Sequence, residues 1–113
     1  MNERMLRVNS ILRHVLAEEI ERLTDTRLEM VTVTGVDTSP DLRHAVIYVD
    51  VLDPDDRQPA LDALRRAANR LQMAVGREVR FKYTPALEFR MDPAIVSASR
   101  IESILKELGG EEE

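Results

Sequence analysis

The sequence predicts an α+β fold in which helices pack on one face of a three-stranded sheet. Two long segments carry apolar residues at steps of three and four, which is the period of an amphipathic helix. Other segments alternate apolar with polar residues, as half-buried strands do, and turn residues separate them. The predicted order is helix, strand, strand, helix, strand, helix. It fits one domain over residues 1–108 of the 113-residue chain.

The first half of the chain predicts a helix followed by a β-hairpin. Residues 30–34 are rich in β-branched side chains and indicate the first strand, and Gly35 indicates a bulge or bend. Residues 44–51 alternate and indicate the second strand, joined to the first by a turn at residues 39–41. The helix is expected over residues 3–23, with its apolar face made of Met5, Val8, Ile11, Leu12, Val15, Leu16, Ile20 and Leu23.

The second half predicts a helix, a strand and a short last helix. Pro59 suits the first turn of the second helix, and Gly76 is expected to cap its end. The alternation over residues 79–83 predicts the third strand, with Phe81 and Tyr83 in the core. Residues 109–113 are expected to form a disordered acidic tail. The buried line of the second helix comprises Leu61, Leu64, Ala68, Leu71 and Val75, and that of the last helix Ile101, Ile104, Leu105 and Leu108.

Composition argues against several classes of function. There is no cysteine and there are only two histidines, so neither thiol chemistry nor a histidine-rich metal site is expected. The four glycines are too scattered for a phosphate-binding loop, and no apolar run approaches the ~18 residues of a membrane span. We therefore expect a cytoplasmic protein that is not an enzyme and needs no cofactor, metal or membrane.

Positive charge is concentrated in one part of an otherwise acidic chain. The net charge is −5, yet residues 60–90 hold seven basic and three acidic residues, a local +4. This pattern favours a nucleic-acid surface, and the alternative from spacing alone is an ordinary solvated helix face. The candidate contact residues are Arg66, Arg70 and Arg77 on one helical face, Arg80 and Lys82 on the predicted strand, and Arg4 and Arg7 near the N-terminus, where positive charge opposes the helix dipole.

Motifs along most of the chain carry a family resemblance. They are Arg4, Arg7-Val8 and Ile11, then residues 25–28, 31–36 and 39–42, then Ala45 with Ile47-Tyr48-Val49, and finally Pro85-Ala86-Leu87-Glu88-Phe89 with Asp92. Taken together in this order, they make the chain resemble the bacterial ribosome-binding factor A family. The P-x-L-x-F-x-x-D spacing of the last motif is the most specific of them.

The resemblance implies a type II KH-like domain that binds RNA without catalysis. It implies a monomeric factor that binds the immature small ribosomal subunit through its ribosomal RNA and assists late rRNA processing, with a role in cold adaptation. Assembly GTPases or other maturation factors are further candidate partners. The competing hypothesis, from the residues themselves, is a small protein–protein interaction module with no role in RNA binding.

The resemblance also implies a kink in the second helix. In this family an Ala-x-Gly kink takes the place of the GxxG loop of other KH domains, and it falls here on Ala67, Ala68 and Asn69. Asparagine stands where glycine is expected, and it tolerates the left-handed conformation better than most residues. Periodicity alone predicts one unbroken helix across this point.

Overall fold

The structure is a computed structural model that describes residues 3–80, 83–94, 101 and 104–108. Helix α1 spans Glu3–Glu21, and the hairpin strands β1 and β2 span Thr32–Thr38 and His44–Asp50. Helices α2 (Arg57–Arg66) and α3 (Ala68–Glu78) follow, and strand β3 spans Ala86–Met91. Short 3-10 turns at Thr26–Leu28 and Pro54–Asp56 precede β1 and α2. The α+β class and the order expected for a KH-like domain are confirmed through β3.

The sheet is mixed, with the strand order β1-β2-β3. Strands β1 and β2 are antiparallel, and the register shifts between Val33 and Gly35, where the sequence predicts a bulge. Strand β3 is parallel to β2 and pairs Phe89 with Ile47. Two parallel strands need a crossover that returns the chain to the end of the sheet where the first strand begins. Helices α2 and α3 form this crossover between β2 and β3. The topology therefore holds the helical pair against the sheet.

The core lies between one face of the sheet and the three helices. Ile47 and Val49 of the central strand are fully buried, as are Leu12 of α1 and Leu64 of α2. Helix α1 packs on β1 and α3, while α2 packs on β3 and the Thr26–Leu28 turn. Because the apolar period of each helix is buried in this layer, its opposite face remains exposed to solvent.

The third strand lies later in the chain than predicted. Val79 ends α3, Arg80 is exposed outside any strand, and Phe81 and Lys82 lie outside the described residues. The pairing of β3 with β2 selects the later segment, because Phe89 is then buried opposite Ile47. Pro85, which has no N–H to donate, stands just before the strand.

Three further predictions, one of a helix cap and two of buried residues, are wrong. Gly76 does not cap its helix, because α3 continues to Glu78. Ile11 is exposed on α1 although its spacing places it near the apolar face. Residues 101 and 104–108 are helical, but their apolar side chains (Ile101, Ile104, Leu105 and Leu108) are exposed and do not pack on the sheet. The predicted tail at residues 109–113 lies outside the described residues.

The second helix is interrupted at Ala67, the first residue of the segment where the resemblance implies a kink. Ala67 has φ −85° and ψ −3°, so the backbone departs from ideal helical angles but stays in the right-handed region. The Ala67 N–H still donates to the Ala63 carbonyl at 3.0 Å, and the Leu71 N–H donates to the Ala67 carbonyl at 2.9 Å. Asn69 does not adopt a positive φ; among the described residues only Leu42 does outside glycine. The interruption therefore does not use the left-handed tolerance of asparagine.

We expect truncation of Leu12 to test the packing of α1. Leu12 is completely buried, whereas Leu6 on the same helix is 57% exposed. Leu12→Ala should lower the free energy of unfolding by about 2–5 kcal/mol, because it leaves a cavity between α1 and the sheet. Leu6→Ala is the matched control and should change it by no more than about 0.5 kcal/mol. Urea unfolding followed by circular dichroism measures both, and equal losses would contradict the assigned core.

Candidate nucleic-acid interface

A line of exposed arginines crosses the helix interruption. Arg66 lies in the last turn of α2, and Arg70 and Arg77 lie on α3. All three side chains are exposed, and none forms a salt bridge with another residue in the described ranges. We call these three residues the arginine stripe. Since no salt bridge within these ranges neutralises them, their positive charges are available to phosphate.

A groove runs beside the stripe on α3. Its volume is about 480 Å³, and helical geometry places Arg70 and Arg77 along one side of it. Gly76 lies so close to the segment before β3 that an added Cβ would stand 3.0 Å from the Thr84 Oγ1. The amide groups of Asn69 and Gln72 in this groove can hydrogen-bond to base edges, and the exposed thioether of Met73 can contact the apolar face of a base. The groove is lined by Asn69, Gln72, Met73, Gly76 and Thr84.

A second cleft opens at the interruption itself. It has a volume of about 280 Å³, and Arg66 and Arg70 contribute to it from the two sides of Ala67. Its opposite wall comes from the segment that follows α1. No side chain caps the start of α3, so the positive end of its helix dipole adds to the charge of the arginines. The residues that line the cleft are Leu23, Thr24, Asp25, Leu28, Ala63, Arg66, Ala67 and Arg70.

The carboxylate in this cleft is already paired with another arginine. Arg27 donates to both Asp25 oxygens, with its Nη2 2.6 Å from Oδ2, and the Arg27 backbone N–H donates to Oδ1 at 3.0 Å. The side-chain hydrogen bond from Arg27, aided by its backbone N–H, lowers the pKa of Asp25 to about 2. The positive charge of Arg66 contributes a smaller part of this lowering of the pKa. Asp25 thus stays ionised and bonded to Arg27, and forms no salt bridge with the stripe.

The prediction that Tyr83 lies in the core is wrong. Tyr83 is 44% exposed, and the Arg43 guanidinium lies over its ring at 4.5 Å from the centroid. The hairpin turn holds Arg43 in place, because its N–H donates to Asp41 at 3.1 Å and its carbonyl accepts from the Ala86 N–H at 2.8 Å. Sequence reasoning missed Arg43, since its partners come from a segment some forty residues away in the chain.

The other predicted basic residues are exposed or outside the description. Arg4 and Arg7 lie on the exposed side of α1, and Arg7 approaches Glu3 at 4.0 Å. Such an exposed ion pair contributes little to stability, so the Arg7 guanidinium remains available to bind phosphate. Arg80 is exposed just after α3, and Lys82 lies outside the described residues.

The described ranges contain no group of three or more histidine, cysteine, aspartate or glutamate side chains arranged to hold a metal ion. Among the same residues, no helix has the length and apolar character needed to cross a bilayer.

Comparison with known proteins identifies the family. The family model described as Ribosome-binding factor A matches residues 4–105. The chain belongs to the ribosome-binding factor A family. The match includes every residue of the arginine stripe and the interruption between α2 and α3.

Relatives in the ribosome-binding factor A family align over most of their length. The factor of Rubrobacter xylanophilus is 39% identical over 96% of this chain and 90% of its own. The factor of Rhodopseudomonas palustris is 41% identical over 97% of this chain and 89% of its own. The crystal structure of ribosome-binding factor A from Thermus thermophilus matches with a TM-score of 0.72 and 38% identity, covering 77% of this chain and 94% of that one.

A further match comes from a ribosomal complex. It is a homology model of the Thermus thermophilus ribosome-binding factor A, fitted into a cryo-EM map of a 30S complex. It matches with a TM-score of 0.65 and 40% identity, covering 75% of this chain and 91% of that one.

The Asp25–Arg27 pair predicts a measurable shift in titration. Arg27→Gln should raise the pKa of the Asp25 carboxyl from about 2 towards its ordinary value of 3.8, because the main hydrogen-bond donor is lost. Since folding lowers this pKa, the pair stabilises the fold above about pH 4, and this contribution is lost as the pH falls towards 2. Carboxyl NMR shifts recorded against pH measure the pKa directly.

Arg22→Gln is the matched control for this titration. Arg22 also forms a salt bridge, but with Glu19 at 2.9 Å. Its removal should leave the pKa of Asp25 unchanged. An Asp25 midpoint near 3.8 in the unmodified protein would contradict the geometry of the pair.

Proposed function

We propose that this protein binds the small ribosomal subunit through ribosomal RNA and acts there as a non-catalytic assembly factor. The observation that carries the proposal is the arginine stripe, three exposed guanidinium groups that form no salt bridge within the described ranges and lie beside a groove in a protein of net charge −5. Family membership supports the same function, since a Thermus thermophilus relative is described in a 30S complex.

The proposed mode of binding starts from electrostatics. Arg66, Arg70 and Arg77 would replace condensed counterions along one RNA backbone, and planar guanidinium groups suit two-point contacts to phosphate. The uncapped start of α3 would favour a phosphate between the two helices. Asn69 and Gln72 in the groove would then meet the edges of unpaired bases. Phosphate contacts position the protein, while the groove adds a preference for bases that are not stacked in a helix.

The acidic remainder of the chain supports selectivity. Outside residues 60–90 the formal charge is −9, which follows from −5 for the chain and +4 for that segment. These carboxylates repel RNA that approaches from other directions, so only a surface that fits the stripe would be bound firmly. A factor of this kind would hold an immature RNA segment until the subunit completes its structure.

The finer biological role extends this proposal. We place the protein in the cytoplasm as a monomer that acts on the immature subunit during late rRNA processing, and in adaptation to cold. Assembly GTPases or other maturation factors would be met on the same particle. These roles rest on the resemblance of the motifs to those of the family.

Neutralising two stripe residues tests the RNA surface. Arg70→Gln with Arg77→Gln should weaken binding to small subunits purified from cells lacking the protein, because two phosphate contacts are lost. The slope of log affinity against log salt should become shallower by about 1.4–1.8. Co-sedimentation at a series of salt concentrations measures both quantities.

Arg22→Gln with Arg90→Gln is the control of equal charge change. Both arginines are exposed but paired with carboxylates, Arg22 with Glu19 and Arg90 with Glu88. This control should keep both the affinity and the salt slope. If the two double variants lose binding equally, net charge and not the stripe governs association, and the proposed surface is wrong.

A further inference from the structure

Two unusually exposed apolar side chains lie at the end of the sheet far from the hairpin turn. Leu52 is 82% exposed and Met30 is 69% exposed, more than the other large apolar side chains in the described ranges. The register pairs Thr32 with Asp50, so the segments that enter β1 and leave β2 run side by side. Leu52 and Met30 stand on these two adjoining segments. Exposure of this kind is typical of interaction sites.

A cavity lies between these segments and the start of α2. Its volume is about 230 Å³, enough for one side chain, and its walls combine Met30 and Val51 with the polar side chains of Thr26, Arg27 and Asp56. Val51 is buried at 2% exposure and forms part of the wall as an apolar surface. The lining residues are Thr26, Arg27, Met30, Val51, Asp56 and Pro59.

Four carboxylates lie close in the chain to Met30 and Leu52, and one of them, Asp56, lines the cavity. Glu29, Asp53, Asp55 and Asp56 are exposed, and within the described ranges none of them forms a salt bridge. The positive charge of Arg27 is offset by Asp25, at 2.6 Å. The surface made of Met30, Leu52, the cavity and these four carboxylates is here called the acidic-rim surface. It repels phosphate and is complementary to lysine and arginine side chains.

We propose that the acidic-rim surface docks a lysine- and arginine-rich segment of a protein on the small subunit, with apolar side chains of that segment against Met30 and Leu52. The inference rests on the proposed function, because the partner is met on the bound particle. The arginine stripe and the acidic-rim surface share no residue, so each can be altered without changing the other. Apolar anchoring gives the contact its affinity, while the carboxylates orient a basic partner and reject RNA.

Site-specific photocrosslinking tests the inference in the assembled complex. The photoreactive residue p-benzoylphenylalanine is placed at position 52 or at position 73 and bound to small subunits from cells lacking the protein. Position 73 lies in the groove beside the stripe and should crosslink to RNA. Position 52 should yield an adduct that survives ribonuclease and that mass spectrometry assigns to a basic segment of another protein.

The two positions separate failure of the inference from failure of the proposed function. If position 73 crosslinks to RNA while position 52 gives RNA, a second copy of this chain or no adduct, the acidic-rim proposal is wrong and RNA binding stands. If neither position crosslinks to the subunit, both proposals fail.

A matched pair of variants tests the rim charges. Asp55→Asn with Asp56→Asn should reduce the yield of the position-52 protein adduct roughly tenfold, since two complementary charges are removed. This variant retains Asp53, whose carboxylate accepts from the Asp55 N–H at 3.0 Å. Glu21→Gln with Asp37→Asn changes the charge equally at exposed sites away from the rim and should retain the yield. Equal yields from the two variants would overturn the electrostatic part of the proposal.

Discussion

The interruption at Ala67 is the constraint from which the arrangement of the helical layer follows. A single straight helix has one apolar face, whereas α2 must cover β3 while α3 must pack against α1. Opening one residue to φ −85° and ψ −3° lets each half turn its apolar side towards its own partner. The hydrogen bonds on both sides of Ala67 are retained, so the change needs neither glycine nor a left-handed residue. The small side chain of alanine leaves the cleft beside it open.

This constraint also decides how charge is presented. Arg66 belongs to one half of the interrupted helix and Arg70 to the other, so they border the same cleft from two directions. The Asp25 carboxylate nearby is bonded to Arg27 and stays ionised with it, as its lowered pKa of about 2 indicates. The arginine stripe and the acidic-rim surface are made of different side chains in one small fold. Two surfaces of opposite charge suit a factor that is proposed to meet RNA and protein on one particle.

Local pattern was enough to predict much of this fold. The helical period gives α1, and the alternation around Gly35 and Ile47 gives the hairpin, because those signals depend only on neighbours in the chain. The position of β3 was missed, since residues 79–83 also alternate and only pairing with β2 favours the later segment. The kink was suggested by the family resemblance and not by the period, which continues across Ala67. Exposure of the stripe arginines follows from helical spacing alone. The contact of Arg43 with Tyr83 and the approach of Thr84 to Gly76 depend on tertiary structure and have no local signal.

The central claim is that the arginine stripe holds ribosomal RNA on the small subunit. A cryo-EM reconstruction of this protein bound to immature small subunits tests it most directly, at a resolution that separates side chains from phosphates. Arg66, Arg70 and Arg77 should contact the phosphates of one RNA segment, with an unstacked base in the groove beside Met73. A reconstruction in which these three side chains face solvent while another surface contacts the RNA would contradict it.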